Sequence, residues 1–160
     1  MRRAYVALGS NLGDPRRQVL DASDALARLP GSRLVARSRL YRTAPWGVLD
    51  QPAFVNAAVE LETSLEPHDL LDALLAIERA AGRVREGERW GPRTLDLDLL
   101  HMEGVRLDDD RLVLPHPRIA QRAFVLLPLN DIAPGLDLPG QGRVDTLLAQ
   151  VDRDGCDVLP

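Results

Sequence analysis

The chain has 160 residues, of which 45% are hydrophobic, and a formal net charge of −4. This length and composition suit one globular domain over residues 1–160 and exclude a collagenous, disordered or coiled-coil protein. The acidic balance argues against a nucleic-acid-binding protein, and no apolar run approaches the roughly 20 residues that span a bilayer. All 20 basic residues are arginines, so any side-chain cation that contacts a phosphate must be a guanidinium group.

Apolar alternation and turn residues predict the strands. The first strand begins close to the N-terminus, where the apolar run is too short for a signal peptide. A loop with two prolines and a glycine covers residues 44–52, and a hairpin-like stretch precedes the strand-like run that includes Val113. The predicted strands cover residues 3–10, 32–43, 53–63 and 95–100, and the hairpin-like stretch leads to RLVLPHPR at 111–118.

Helical spacing and capping residues predict the helices. Asp14-Pro15 and Pro67 are typical helix starts, and Pro30-Gly31 and Gly82 are typical stops. Shorter helices are predicted around residues 119–131 and 144–151. Because short links between strands favour antiparallel neighbours, we expect an α+β fold: a ferredoxin-like α/β sandwich with a mainly antiparallel sheet flanked by helices.

Two aspartates interrupt the most strand-like segment, RWGPRTLDLDLL. Because side chains alternate along a strand, Leu95, Leu97 and Leu99 share the core face. Asp96 and Asp98 share the other face, about 7 Å apart along the backbone. Two unpaired carboxylates cannot be buried cheaply, so they must face solvent, meet arginines or bind a cation. The pair alone is consistent with an exposed edge strand and with a magnesium–phosphate site.

An arginine-rich, glycine-punctuated stretch at residues 82–92 precedes this strand. Magnesium is commonly held by one or two carboxylates together with phosphate oxygens, and arginines stabilise the charge on a transferring phosphoryl group. Glycines permit motion, so both a lid that closes over a nucleotide and an ordinary surface loop fit the pattern. The arginines of this stretch and of the strand start are Arg83, Arg85, Arg89 and Arg93.

Two aromatic residues, an asparagine and a histidine are compatible with a binding site or with ordinary packing. Phe54 and Phe124 can pack in the core or stack on a flat heterocycle, whose edge Asn56 can match with a donor and an acceptor. His116 lies between two prolines in LPHPR, which suggests a contact site.

The single cysteine, Cys156, excludes an intrachain disulfide; we interpret it as a tolerated thiol near the C-terminus of a cytoplasmic protein.

Several stretches together resemble one family, the 6-hydroxymethyl-7,8-dihydropterin pyrophosphokinases. They occur in the family's order and cover most of the chain, and WGPRTLDLDLL is the most specific of them. The matching stretches are ALGSNLGD at 7–14, YRTAPWG at 41–47, QPAFVNAAVELET at 51–63, GRVREGERWGPRTLDLDLL at 82–100 and LPHPRIAQRAFVLLPLNDIAP at 114–134.

This resemblance implies transfer of the β,γ-diphosphate of ATP to the hydroxymethyl group of a reduced pterin, with release of AMP, so the partners are small molecules. No long apolar edge or helix face is left over in the sequence pattern, which favours a monomer. Two Mg²⁺ ions would be held by Asp96 and Asp98. Catalytic roles would fall on Arg83, Arg85, Arg93, Asp96 and Asp98. ATP would contact Glu78, Arg89, Trp90, Leu99, Arg111, His116 and Arg122. The pterin would contact Thr43, Ala44, Trp46, Phe54, Asn56 and Phe124.

Two rival interpretations come from other classes. A metal-dependent glycosyltransferase also uses an Asp-x-Asp pair, to hold a nucleotide-sugar, but this chain is short for one and shows no second nucleotide-binding α/β domain. A non-catalytic small-molecule-binding module with a ferredoxin-like sheet is the other rival. It predicts that replacing Asp96 and Asp98 by alanine leaves ligand binding intact.

Overall fold

The computed structural model describes residues 1–44, 52–82 and 95–160. These residues form four α-helices and ten strands. The helices are α1 (Pro15–Ala27), α2 (Pro67–Ala80), α3 (Ala123–Ile132) and α4 (Val144–Gln150). The strands are β1 (Arg2–Ser10), β2 (Ser32–Arg37), β3 (Tyr41–Thr43), β4 (Phe54–Thr63), β5 (Asp96–Met102), β6 (Leu107–Asp108), β7 (Val113–Leu114), β8 (Asp137–Leu138), β9 (Gly142–Arg143) and β10 (Cys156–Val158).

One antiparallel sheet organises the described residues. Its strands follow the order β10-β3-β4-β1-β5, and β2 pairs with β4 beyond the end of β3. When β2 and β3 are taken as one interrupted strand, β1 to β5 with α1 and α2 give the β-α-β-β-α-β order of a ferredoxin-like fold. The predicted α+β sandwich with a mainly antiparallel sheet is therefore confirmed.

The sheet separates two apolar cores. Strand residues such as Val6, Leu61 and Leu97 pack with α1 and α2 on one face. On the other face, α3 and α4 pack against a smaller set that includes Tyr5 and Leu100. Two-sided cover is the arrangement that lets a sheet bury apolar side chains in both directions. None of the helices in the described ranges is long and apolar enough to cross a membrane.

The predicted single strand over residues 32–43 is wrong, because the chain leaves the ladder between β2 and β3. Ser38 Oγ accepts from Ala58 N at 2.8 Å, where a strand would offer its backbone carbonyl. The backbone N–H of Arg39 donates to the carboxylate of Asp131 at 3.1 Å. Side-chain acceptors thus take over backbone donors and end β2 early, a competition that serine and aspartate commonly provide.

The helix starts were predicted correctly. Asp14 caps α1, since its carboxylate accepts from Arg17 N at 3.2 Å, and Pro15 occupies the first helical position. Pro67 has the same place in α2. The C-terminal region contains elements that the sequence did not predict: the two-stranded β8–β9 sheet and β10, which joins the edge of the main sheet beside β3.

Candidate active site

A cavity of about 1090 Å³ lies over the sheet face that carries α3. Its floor includes residues of β1, β3, β4 and β5, and its roof is the first turn of α3 with the segment before it. This volume slightly exceeds the usual range for small-molecule sites, so the cavity can hold more than one small ligand. Of the predicted site residues, it brings together Thr43, Ala44, Phe54, Asn56, Asp96, Asp98, Arg122 and Phe124.

Strand β5 delivers the two aspartates to the cavity as predicted. Leu97 and Leu99 are 5% and 3% exposed in the core under α1 and α2. Asp96 and Asp98 line the cavity on the opposite face. Register places Asp96 beside Gly9 of β1. Gly9 contributes no side chain to the floor, and a Cβ there would lie 2.9 Å from Asn56 Nδ2.

Buried polar side chains stand on β3 and β4, near the middle of the sheet. Thr43 and Asn56 are 4% and 9% exposed. Thr43 Oγ1 donates to Asn56 Oδ1 at 2.9 Å. This bond engages the amide oxygen, so the Asn56 amide group meets a cavity ligand as a donor. Phe54 lies directly opposite Thr43 in the β3–β4 register, which puts both side chains on the same face.

The start of α3 brings an aromatic ring and cationic groups over this floor. Phe124 lines the cavity, and Arg122 Cζ lies 5.7 Å from the centre of its ring. Arg118 and Gln121 also line the cavity. The roof therefore combines a flat apolar surface with guanidinium groups, which suit a heterocycle and an oxyanion respectively.

His116 does not line the cavity; its backbone holds it beside β5, directly before the lining residues Pro117 and Arg118. Its N–H donates to the Leu100 carbonyl at 2.8 Å, and its carbonyl accepts from Gln141 Nε2 at 2.8 Å. Nδ1 accepts from Arg118 N at 3.3 Å, so the neutral ring carries its proton on Nε2. Burial lowers the pKa of His116; the charge of Asp98 opposes this, and Arg122 and Arg118 add to it. The ring is therefore a neutral Nε2 donor at neutral pH.

Besides His116, three predicted nucleotide contacts lie outside the cavity lining. Glu78 is 4% exposed at the end of α2, and its carboxylate accepts from Leu97 N at 2.7 Å. The Leu99 side chain belongs to the core. Arg111 is exposed and pairs with Asp72 of α2 at 2.6 Å. Trp46 and the predicted catalytic-loop residues lie outside the described residues: Arg83, Arg85, Arg89, Trp90 and Arg93.

Several lining residues were not predicted. Arg118 stands in the quoted LPHPR motif, so its position beside His116 was a usable signal. Gly9 was visible in the quoted ALGSNLGD stretch, but its role depends on the close approach of Asn56. Sequence spacing gave no sign of the C-terminal lining residues Asp152, Asp154 and Cys156. The interpretation of Cys156 as a plain tail thiol therefore missed its place in the cavity wall.

The donors in the cavity fit magnesium that arrives with a phosphorylated ligand. Within residues 1–44, 52–82 and 95–160, no three His, Cys, Asp or Glu side chains form a metal-ligand set. Two carboxylates that line one cavity are the usual protein share of a magnesium–nucleotide site, in which phosphate oxygens and water complete the octahedron. The pair Asp96 and Asp98 meets that requirement without a closed protein cage.

Taken together, the fold and the cavity define an α+β sandwich whose one cavity face combines two carboxylates, guanidinium groups and two phenylalanine rings. The family model described as 7,8-dihydro-6-hydroxymethylpterin-pyrophosphokinase (HPPK) matches residues 5–134. The chain belongs to this family.

Relatives support the same assignment along the whole chain. A 2-amino-4-hydroxy-6-hydroxymethyldihydropteridine pyrophosphokinase of Methylorubrum extorquens is 53% identical over 155 residues, which cover 97% of both chains. A protein of the same name from Pseudomonas aeruginosa is 54% identical over 160 residues, covering 100% of this chain and 98% of that protein.

A solved structure with a similar fold is the HPPK-DHPS protein of Plasmodium falciparum. The TM-score is 0.70 at 15% sequence identity, and the match covers 94% of this chain and 43% of that one. At this identity the likeness concerns the fold alone. It agrees with the sandwich described above.

Proposed function

We propose that the cavity is the active site of an ATP-dependent pyrophosphokinase, which transfers the β,γ-diphosphate of ATP to 6-hydroxymethyl-7,8-dihydropterin and releases AMP. Membership of the pyrophosphokinase family supplies the reaction and its place in folate biosynthesis. One observation carries the assignment of the site: paired aspartates, a buried Thr–Asn pair and two phenylalanines line one cavity.

The pterin would occupy the half of the cavity above β3 and β4. Its ring would stack between Phe54 and Phe124, and the Asn56 amide with the Thr43–Ala44 segment would read its polar edge. The Thr43 hydroxyl fixes the Asn56 amide through the 2.9 Å bond, so the donor is positioned before the ligand arrives. Such preorganisation lowers the entropic cost of binding and orients the hydroxymethyl group for attack.

The phosphates of ATP would occupy the half above β1 and β5. Arg118 and Arg122 bring positive charge to the roof, and the neutral His116 ring offers a donor beside them. In phosphoryl transfer the protein contributes mainly positioning and charge stabilisation. We expect these groups to hold the triphosphate in line with the pterin hydroxyl, which attacks the β-phosphorus.

We propose that Asp96 and Asp98 hold two magnesium ions together with the phosphate oxygens. Bound magnesium neutralises phosphate charge and makes the substrate hydroxyl a better nucleophile. Titration of the protein with Mn²⁺ and an ATP analogue, followed by electron paramagnetic resonance, counts the sites. We expect two in the natural chain and a loss in Asp98→Ala; a single site in the natural chain would contradict the second ion.

The activity is tested by incubating the full chain with ATP, Mg²⁺ and 6-hydroxymethyl-7,8-dihydropterin. We expect AMP and pterin diphosphate in equal amounts, and neither product without pterin or with a chelator of divalent cations. Formation of ADP would show single phosphoryl transfer and contradict the proposal. The same mixture separates the rival classes, because a binding module forms no AMP and a glycosyltransferase requires a nucleotide-sugar.

We further propose that residues 1–160 act as one domain and as a monomer in the cytoplasm. A monomer predicts a mass of 17.6 kDa by light scattering. One domain predicts coincident unfolding transitions by circular dichroism and tryptophan fluorescence. Fractionation of the source cells tests the location, and a membrane or secreted pool would contradict it.

A further inference from the structure

The cavity has a wall that the family match does not include. That match ends at residue 134, whereas Asp152, Asp154 and Cys156 line the cavity. These residues belong to β10 and to the turn that leads into it. A role for this wall in pterin binding rests on the proposed pyrophosphokinase function.

Strand β10 is fixed to the strand that carries the pterin-reading residues. Cys156 pairs with Thr43 in antiparallel register. The backbone N–H of Ala44 donates to the Gly155 carbonyl at 2.9 Å. Gly155 has a φ of +84°, which lets the turn bend sharply into the strand at no steric cost. Thr43 and Ala44 are therefore held by the C-terminal segment on one side and by β4 on the other.

The register places Cys156 in one row with two proposed pterin contacts. Thr43 lies opposite Cys156 on one side and opposite Phe54 on the other. Directly opposed residues of antiparallel strands project from the same face, with Cβ atoms about 5 Å apart. The row Cys156–Thr43–Phe54 therefore borders the same half of the cavity.

The environment of the thiol suits contact with a flat neutral ring. Burial raises the pKa of Cys156, and a hydrogen bond with Thr43 opposes the rise only in part. At neutral pH the side chain is therefore a small, protonated and polarisable group. It fills the space beside Thr43 without adding charge.

We propose that β10 forms a wall of the pterin-binding half of the cavity, with Cys156 as a further residue that determines pterin binding. A larger side chain at this position obstructs the pterin but not ATP, because β10 lies at the sheet edge opposite β5. Four strand spacings of about 4.8 Å separate these edges by about 19 Å.

The chain offers a direct test, since Cys156 is its only thiol. Alkylation by a maleimide is followed in the full chain with Mg²⁺ and a non-hydrolysable ATP analogue, before and after addition of 6-hydroxymethylpterin. Binding of that pterin is measured on the same samples by equilibrium dialysis. We expect the bound pterin to slow alkylation by about tenfold, because it covers the thiol.

Asp157 provides a matched control. It is the next residue of β10, exposed and on the opposite face, where it does not line the cavity. In a Cys156→Ala, Asp157→Cys variant, we expect bound pterin to leave the alkylation rate unchanged. Equal protection of both thiols would indicate a general tightening of β10 and would overturn the proposed contact.

Kinetics of Cys156→Phe and Asp157→Phe give the second readout. We expect Cys156→Phe to raise KM for pterin about tenfold and to leave KM for ATP within about twofold. Asp157→Phe is expected to change both constants by less than about twofold.

The outcomes separate this inference from the proposed function. If the natural chain forms AMP and binds pterin while Cys156 alkylates at the same rate, the wall contact is wrong and the function stands. If the chain neither forms AMP nor binds pterin, both proposals are overturned.

Discussion

On the α1/α2 face of the sheet, strands β1, β4 and β5 contribute Leu8, Ala57 and Leu97, all buried in one apolar core. Each of these residues has a chain neighbour that projects from the opposite face and lines the cavity. These neighbours are Gly9, Asn56 and Asp96. Because side chains alternate, a slip of one residue in register would exchange the two sets. The apolar face therefore fixes the register that delivers the polar residues to the cavity.

The largest expected effect is a loss of turnover in variants that change only the cavity face. Replacement of Asp96 or Asp98 by alanine should lower turnover by roughly 10²- to 10³-fold or more, because charge stabilisation of the transferring group is lost. The thermal midpoint should stay within a few degrees, since the side chains do not enter the core. Asp110→Ala, an exposed aspartate outside the cavity lining, is the control. A large fall in the midpoint would mean that the carboxylates are structural.

On the packing face, replacement of Leu97, the residue between the two aspartates, should lower stability and leave turnover nearly unchanged. Leu97→Ala should lower the free energy of unfolding by about 3 kcal/mol, because a buried side chain is replaced by a cavity. The backbone donor to Glu78 is kept in this variant. Urea unfolding measures the loss, and kcat per folded molecule should change little. A drop in kcat comparable with that of Asp96→Ala would contradict the division between the faces.

Tyr41 is an exception on the cavity side of the sheet, because its polar side chain stabilises the fold. Its hydroxyl donates to Asp131 at 2.9 Å. Burial, then that hydrogen bond and the charge of Asp131, raise the pKa of Tyr41 to about 12. In the unfolded chain the tyrosine hydroxyl loses its proton near pH 10. The contribution of the Tyr41 hydroxyl to the free energy of unfolding is therefore complete below about pH 10 and is lost as the pH rises towards 12.

We expect the loss of unfolding free energy to approach about 2 kcal/mol near pH 12. Tyr41→Phe should be less stable at pH 7 but should lack this part of the alkaline decline. Urea unfolding at a series of pH values between neutral and alkaline measures the slope. Equal slopes in the natural chain and the variant would remove Tyr41 as the titrating group.

The smallest effect belongs to the helix that covers the packing face. Asp14→Ala should cost about 1 kcal/mol, since the N–H of Arg17 loses its acceptor, whereas Asp14→Ser should keep most of the stability. Asp21→Ala removes only an exposed pair with Arg17 and should cost less than about 0.5 kcal/mol. Turnover should be unchanged in all three variants. Thermal or urea unfolding checks the order.

Local signals in the sequence predicted what local physics decides. The alternation around Asp96 and Asp98 gave the two faces of β5, and Asp14-Pro15 gave the start of α1. The break after β2 was not predictable from local signals. The backbone N–H of Arg39 donates to the carboxylate of Asp131, which lies 92 positions further along the chain. Cys156 reaches the cavity only because β10 pairs with β3, a contact between distant parts of the chain.

Gly9 illustrates a consequence for engineering. Glycine inside a strand costs about 0.5–1 kcal/mol relative to alanine, so a search for thermostable variants would select Gly9→Ala on propensity alone. The added methyl group would meet Asn56 Nδ2 at 2.9 Å and push the amide away from its place beside Thr43. Any such search should therefore hold this position fixed and look for its gains among the exposed residues of α1 and α2.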